Sequence, residues 1–293
     1  MDILEKIENE FANIEQIKEK VIKPRLLQLH TGLEGFESPQ AFGVYRDTGG
    51  NPLGVVGDRY RPMDLTVLLD SIVHSVSECD FDLDLSTLKY SEYKDGSKVA
   101  FQIQLPTKEI IGSPMKGDII ERRLEFRTGF DGLTKSSITE VYRRVWCDNG
   151  ASSPHEMNLS FKNTLGNHIK IYNLCNFITK AIQNGDDFLV DFGRLASVKL
   201  TPTAQDEFLR KVTGQSLKDY KDISTKSRNI LDAINNSVAI ELQNTGDNWY
   251  SLVNGITRYL THDRASGNEE KLLYTSANDM SQQAFKLALA QLN

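Results

Sequence analysis

The chain has 293 residues, 39% hydrophobic and 25% charged, a composition that excludes a disordered or fibrous protein and suffices for one large or two medium cores. Its net charge of −6 excludes a protein that is basic over its whole surface, although a local basic patch is compatible with an acidic body. No stretch approaches the roughly 18 apolar residues that span a bilayer, and the charged N-terminus lacks a signal-peptide core. We therefore expect a cytoplasmic protein without a membrane partner.

Residues 1–24 predict an amphipathic helix that forms a segment of its own. Apolar residues recur at helical or heptad spacing with Glu and Lys between them, and Pro24 ends the pattern. These residues are Leu4, Ile7, Phe11, Ile14 and Val21. Two interpretations stay open for the helix, packing against its own domain and self-association.

Residues 25–192 predict an α+β core that begins with a hairpin and a helix. The segment 41–63 has two strand-like halves around a turn at Asp47–Pro52, and Pro62 ends the pairing. Asp64 is a suitable N-cap for the helix that follows. Its predicted apolar face consists of Leu65, Leu68, Leu69, Ile72, Val73 and Val76.

A four-strand antiparallel meander comes next. Strand-like segments 88–93 and 98–105 flank Asp95-Gly96, and two arginine-bearing strands between Lys116 and Asn149 are joined by Asp131-Gly132. Asp-Gly pairs supply the positive φ angles that tight hairpins require. The four strands should therefore be neighbours in one sheet.

Helices dominate the remainder of the chain. A long helix is predicted from Pro154 to about Asn184, with Lys162, Lys170 and Lys180 among its polar positions. Further helices are predicted over 203–212, with Thr203 at its start, and over 224–243, 247–260 and 277–292. The predicted fold class is α+β, an antiparallel β-meander packed on a long helix, followed by an all-helical C-terminal part. The predicted domains are 1–24, 25–192 and 193–293.

The arginine-bearing strand pair is the best candidate for a binding surface. Residues 108–180 hold 11 Lys and Arg against 8 Asp and Glu, a net charge of +3 within an acidic chain. Arg123 and Arg127 share one strand face, while the adjacent Arg143 and Arg144 place one cation on each face of the partner strand. Such a surface requires an anionic partner.

An internal role for the same arginines is the alternative. Cross-strand ion pairs could use them up, each pair worth under about 1 kcal/mol at an exposed site. The carboxylates available for this are Glu121, Glu125 and Glu140. Both interpretations stay open at the level of sequence.

Residues with catalytic or metal-binding chemistry form no recognisable pattern. The three cysteines are widely spaced and lack CxxC, and the five histidines lack metal-ligand spacing. Asp186, Asp187 and Asp191 could hold a divalent ion, but the same residues suit a loop that ends a helix. We therefore expect no enzyme activity, no metal and no cofactor.

Three sequence islands carry a family resemblance. They are LGVVGDRYRPM at 53–63, YRRVWCDNG at 142–150 and NWYSLVNGITRYLTHDR at 248–264. Together they resemble a family of uncharacterised phage and plasmid proteins over roughly residues 40–290, although Gly255 stands where the pattern has alanine. The resemblance implies a mobile-element setting and no established activity or catalytic residues.

The predicted order of elements is similar to the core of ring-forming single-strand annealing proteins of the RecT and Redβ type. In such proteins a basic groove between the meander and the next helix holds the phosphate backbone, and no nucleotide is consumed. The resemblance implies an ATP-independent protein that binds and anneals single-stranded DNA in recombination or replication, as a homo-oligomeric ring or filament. Its implied DNA-binding residues are Arg122, Arg123, Arg127, Lys135, Tyr142, Arg143, Arg144, Lys162 and Lys170, with Trp146 as a further aromatic.

Two other functions remain as alternatives. The acidic remainder of the chain suits a mobile-element protein that binds and inhibits a host defence complex, so a host or phage protein is a further candidate partner. A metal-dependent nuclease that uses the three aspartates is the weakest alternative.

Overall fold

The computed structural model describes residues 3–30, 37–78, 83–110, 112–115, 117–145, 149–152, 159–164, 174–215 and 222–292. Within these residues the protein is α+β, with an N-terminal helix, antiparallel sheets and a helical C-terminal part, which confirms the predicted fold class. None of the helices in this part of the chain is long and apolar enough to cross a membrane.

The described residues contain eight α-helices and nine strands, numbered in chain order. The helices are α1 Ile3–Lys20, α2 Leu65–Glu78, α3 Leu174–Arg194, α4 Pro202–Val212, α5 Thr225–Thr245, α6 Trp249–Arg258, α7 Glu269–Leu273 and α8 Ser276–Leu289. The strands are β1 Pro24–His30, β2 Glu37–Arg46, β3 Gly54–Val56, β4 Lys89–Tyr93, β5 Lys98–Glu109, β6 Ile119–Gly129, β7 Ser136–Arg144, β8 Asn149–Ser152 and β9 Leu159–Phe161.

The strands form two sheets. The first has the order β1-β2-β3, so the predicted hairpin is β2–β3, and β1 is an additional strand that pairs antiparallel with β2. The second has the order β4-β5-β6-β7-β8, with β9 also paired to β7, which confirms the predicted meander. The Asp95-Gly96 turn has the expected backbone, with positive φ at both residues, whereas in the Asp131-Gly132 turn only the glycine has positive φ.

Helix α2 forms as predicted, because its N-cap and its apolar face both favour a helix that begins at Leu65. The carboxylate of Asp64 accepts hydrogen bonds from the backbone N–H groups of Thr66 at 2.9 Å and Val67 at 3.2 Å. These bonds satisfy N–H groups that have no partner within the helix. The buried apolar side chains are Leu65, Leu68, Leu69, Ile72 and Val76, all of them predicted, while the predicted Val73 is only partly buried.

The long helix predicted from Pro154 is wrong at both ends. Residues 159–161 form β9, which pairs with Ser136–Ile138, and the described helix α3 continues past Gly185 to Arg194. A strand partner distant in sequence decides the first difference, since Leu159 and Phe161 fit a strand as well as a helix. Lys170 and Trp146 lie outside the described residues.

The C-terminal helices begin at polar caps. Side chains of Thr201, Ser224, Asn248 and Thr275 accept hydrogen bonds from backbone N–H groups in the first turns of α4, α5, α6 and α8. The cap of α4 is thus Thr201, with Pro202 as the first helical residue, rather than the predicted Thr203. Helix α6 runs into a π-helical segment at 259–264, and α7 is a short helix that the periodicity does not predict.

The chain divides into two compact units. Unit one comprises Met1–Leu105, Arg123–Thr139 and Asn158–Ile182, and unit two comprises Pro106–Arg122, Glu140–Met157 and Gln183–Asn293. Each has its own apolar core, built around α2 and the sheet residues in unit one and around α5, α6 and α8 in unit two. Both units are discontinuous in sequence.

Candidate functional site

Most of the predicted arginine surface lies inside the protein. Only 1% of Arg122, 6% of Arg127 and 2% of each of Arg144 and Tyr142 is exposed. The Arg123 side chain is 30% exposed and that of Arg143 is 58% exposed. Each of the three carboxylates proposed as alternative partners pairs with one or more of these arginines. Glu121 lies 3.5 Å from Arg143, and the pairs of Glu125 and Glu140 are described in the next two paragraphs.

In unit one, Arg123 and Arg127 flank a buried carboxylate on the same face of β6. The Glu125 side chain is fully buried, 3.4 Å from Arg127 Nε and 3.8 Å from Arg123 Nη2. Gln102 donates a 3.1 Å hydrogen bond to Glu125, and Arg127 donates a 2.8 Å bond to Thr139. Because a buried charge must be paired, these arginines hold the sheet together.

In unit two, Arg122 joins β7 to helix α3. Its Nε lies 2.6 Å from Glu140 and its Nη1 contacts Asp186, which also pairs with Lys108 at 3.3 Å. A Cβ at Gly185 would lie 2.1 Å from Glu140 Oε2, so only glycine lets the helix approach the pair. Burial raises the pKa of Glu140 to about 7 against the opposing effect of Arg122.

Arg144 is the centre of a second buried network in unit two. Its guanidinium donates two hydrogen bonds to Asp118, at 2.7 and 2.6 Å, and lies 3.3 Å from Glu241. Tyr250 donates its hydroxyl to Asp118, and its ring centroid lies 5.1 Å from the guanidinium carbon. Burial alone would raise the pKa of Asp118, but hydrogen bonds from Arg144, Ser113 and Tyr250 lower it. Asp118 therefore stays ionised and paired.

A cleft of about 530 Å³ in unit one brings together exposed cations from three segments. We call it the hairpin cleft and define it by residues 55–60, 131–135 and 162–164. Its exposed cations are Arg59, Lys135 and Lys162. Two of these were predicted to bind nucleic acid, and the structure places them on one surface.

The β6–β7 turn forms one wall of the hairpin cleft. Asp131 accepts hydrogen bonds from the backbone N–H groups of Leu133 at 2.9 Å and Thr134 at 2.7 Å. A Cβ at Gly54 would lie 2.2 Å from the carbonyl oxygen of Phe130, so glycine lets β3 approach the turn closely. The turn carries Lys135 and the 89% exposed Leu133, opposite the 57% exposed Val55 of β3.

A buried polar cluster forms the floor of the hairpin cleft. Asn163 is 3% exposed and donates to Gly129 O at 3.1 Å and Thr128 Oγ1 at 3.2 Å, while Ser136 donates to its amide oxygen. Tyr60 also donates to Gly129 O, at 2.5 Å. Saturated hydrogen bonding of this kind holds the three segments in one arrangement.

Tyr60 remains a neutral hydrogen-bond donor at physiological pH. Burial raises the pKa of its hydroxyl to about 12, with an opposing contribution from the Asn163 hydrogen bond and a reinforcing one from Asp131. Backbone pairing of Tyr60 with Thr164, and a 3.0 Å bond from Arg61 N to Asn163 O, fix the loop that carries Arg59. The loop is therefore anchored by the two residues that follow Arg59.

Arg59 is the residue that sequence reasoning missed. It lies in the first resemblance island, which lines the hairpin cleft, but it is outside the net-basic segment that directed attention to the strand pair. A search for exposed cations within the islands would have found it. Lys162 reaches the cleft from the residues after β9 and not from a helix.

The three aspartates do not form a metal site. They lie on α3 and not in a loop, which corrects the prediction, and Asp186 and Asp191 pair with Arg122 and Arg194. Across the residues that the structure describes, no group of His, Cys, Asp and Glu is arranged to hold a metal ion.

Comparison with known proteins places the chain in an uncharacterised family. The model of a domain of unknown function, DUF932, matches residues 52–288, a range that contains all three resemblance islands and leaves out α1. No curated protein and no solved structure matches the chain. The match covers most of the sequence, so the chain belongs to the DUF932 family.

Proposed function

We propose that this protein binds single-stranded DNA at the hairpin cleft and promotes annealing without consuming a nucleotide. The observation that carries the proposal is the convergence of Arg59, Lys135 and Lys162 on one cleft with a rigid floor. Because hydrogen bonds hold the three segments in one arrangement, their cations can contact successive phosphates without a large loss of backbone entropy on binding.

Single strands fit the cleft better than duplex because apolar groups accompany the cations. Val55 and Leu133 are exposed at the cleft, and the half-buried Tyr60 also lines it. Unstacked bases can contact such groups, whereas the bases of a duplex are stacked and paired. The role in annealing, the phage or plasmid setting and a ring or filament assembly are parts of the same proposal. They are supported by the resemblances of motif and element order.

Binding of a labelled oligonucleotide, followed by fluorescence anisotropy, tests the proposal. We expect the wild-type protein to bind a single strand of about 30 nucleotides more tightly than a duplex of the same length. A triple variant, Arg59→Gln, Lys135→Gln and Lys162→Gln, should lose most of this binding.

A second triple variant provides the control for net charge. Lys23, Arg25 and Lys89 are exposed in unit one and do not line the cleft. Their replacement by Gln makes the same change in charge and should leave binding within about twofold. Equal loss in both variants, or no binding by the wild type at low salt, would refute the proposal. Annealing of complementary strands in the absence of ATP then tests the second part.

A further inference from the structure

Helix α1 is anchored to unit one mainly through its C-terminal half. Ile17 and Val21 are 5% exposed and belong to the apolar core. The Asn13 amide donates to the carbonyl oxygens of Leu85 and Leu88, both at 2.9 Å, and so clamps the middle of the helix. These contacts hold α1 against the rest of unit one.

The N-terminal half of α1 exposes an apolar stripe. Leu4 is 68% exposed, Ile7 55% and Phe11 66%, and at 100° per residue the three lie within one 60° sector of the helix. Single exposed apolar residues are common, but three neighbours at i, i+3 and i+7 are the anchors of helix-in-groove recognition. We call these three residues the α1 stripe.

An acidic row borders the α1 stripe on its solvent side. Glu8, Glu15 and Glu19 are exposed and occupy the adjacent sector of the helix. Lys18 lies in the same sector of the helix as the α1 stripe, two turns beyond Phe11, and contacts Glu15 at 3.4 Å and Asp70 at 3.3 Å, so carboxylates of the same unit offset its charge. An approaching surface thus meets apolar anchors beside negative charge.

We infer that the α1 stripe is a docking site for an amphipathic helix of a partner protein whose apolar face is flanked by Lys or Arg. Its apolar side chains would cover Leu4, Ile7 and Phe11, and its cations would face the acidic row. This site is independent of the hairpin cleft and lies outside the matched family range of 52–288.

Charge excludes the other two occupants of such a face. A second copy of α1 would bring an acidic row against an acidic row, because Glu8 borders the stripe midway along its length. An anionic membrane surface would be repelled by the same carboxylates. A basic helix is the occupant that satisfies both the apolar and the charged parts of the surface.

Two synthetic peptides with the same apolar face test this inference on the full-length protein. One is a helix of about 18 residues with Leu and Ile anchors flanked by Lys and Arg, and the other carries Glu at the flanks. We expect the basic peptide to bind and the acidic peptide to bind at least about tenfold more weakly, as measured by fluorescence anisotropy. No binding of the basic peptide at about 100 µM, or equal binding of both, would overturn the inference.

Variants of exposed residues then locate the site. Phe11→Ser should weaken binding of the basic peptide about tenfold or more, whereas Leu27→Ser, at a 52% exposed residue of β1, should not. Glu8→Lys with Glu15→Lys should reverse the preference between the peptides, and Gln16→Lys should not. Circular dichroism checks that each variant is folded.

Three results would overturn the inference after binding is seen. One is insensitivity of the peptide to Phe11→Ser. The second is a dimer of the wild-type protein in analytical ultracentrifugation that the Phe11→Ser variant does not form, because the face would then bind a second copy. The third is binding to anionic phospholipid vesicles that depends on Phe11.

Discussion

Replacement of Gly185 by alanine tests how closely α3 approaches the buried Arg122–Glu140 pair. In an exposed helix this change would stabilise the protein by about 1 kcal/mol. Here the new Cβ would lie 2.1 Å from Glu140 Oε2 and 2.6 Å from Arg122 Nη2, so the pair must shift. Disruption of a buried ion pair costs about 3–5 kcal/mol, so we expect a net loss of roughly 2–4 kcal/mol.

Urea denaturation followed by circular dichroism measures this loss. Asn184→Ala is the matched control, because Asn184 is exposed on the same helix and should change the free energy of unfolding by less than about 0.5 kcal/mol. In a Glu140→Ala background, Gly185→Ala should cost less, since one of the two clashing groups is gone. A stabilising effect of Gly185→Ala, or costs that simply add, would refute the reasoning.

Three further predictions concern the cleft, a buried carboxyl and a helix contact. With three phosphates neutralised, the log-log salt slope of oligonucleotide binding should be about −2, and Lys135→Gln should reduce its magnitude by about 0.7. The same slope in Lys135→Gln and in the wild type would count against the cleft. Because the pKa of Glu140 is raised from 4.5 to about 7 on folding, the stability it contributes is present below pH 4.5 and declines up to pH 7. Glu140→Gln should flatten this part of the stability–pH curve in urea titrations, and an unchanged curve would contradict the assignment. Gly255→Ala should lower the melting temperature, because the new Cβ would lie 2.4 Å from Val238 Cα. A variant with the melting temperature of the wild type would show that α5 and α6 can move apart at little cost in free energy.

The contact at Gly255 also explains a departure from the family pattern. Alanine is expected there from the third resemblance island, yet the backbone of α5 leaves no room for a Cβ in this chain. The departure is thus a matter of helix packing. Spacing along α6 alone could not reveal it, because the neighbour is Val238 on another helix.

Local signals in the sequence were sufficient for several elements. Asp64 with the apolar face of α2, the Asp-Gly turns, and the alternation in β4 to β7 all act within a few residues and were correctly predicted. Two features were not predicted, the pairing of β9 with β7 and the continuation of α3 through Gly185. Both depend on groups that are distant in sequence.

By itself, the sequence determined the α+β class, the meander and the concentration of arginine on β6 and β7. Only the tertiary structure decided which cations of the chain are covered and which line a cleft. Alternation places a side chain on one face of a strand, but the elements packed on that face decide whether it is covered. Arg122, Arg127 and Arg144 are covered and paired with carboxylates, while Arg59, Lys135 and Lys162 converge on an open cleft. The difference in exposure follows from the cost of burying an unpaired charge, which requires each covered arginine to have an acidic partner.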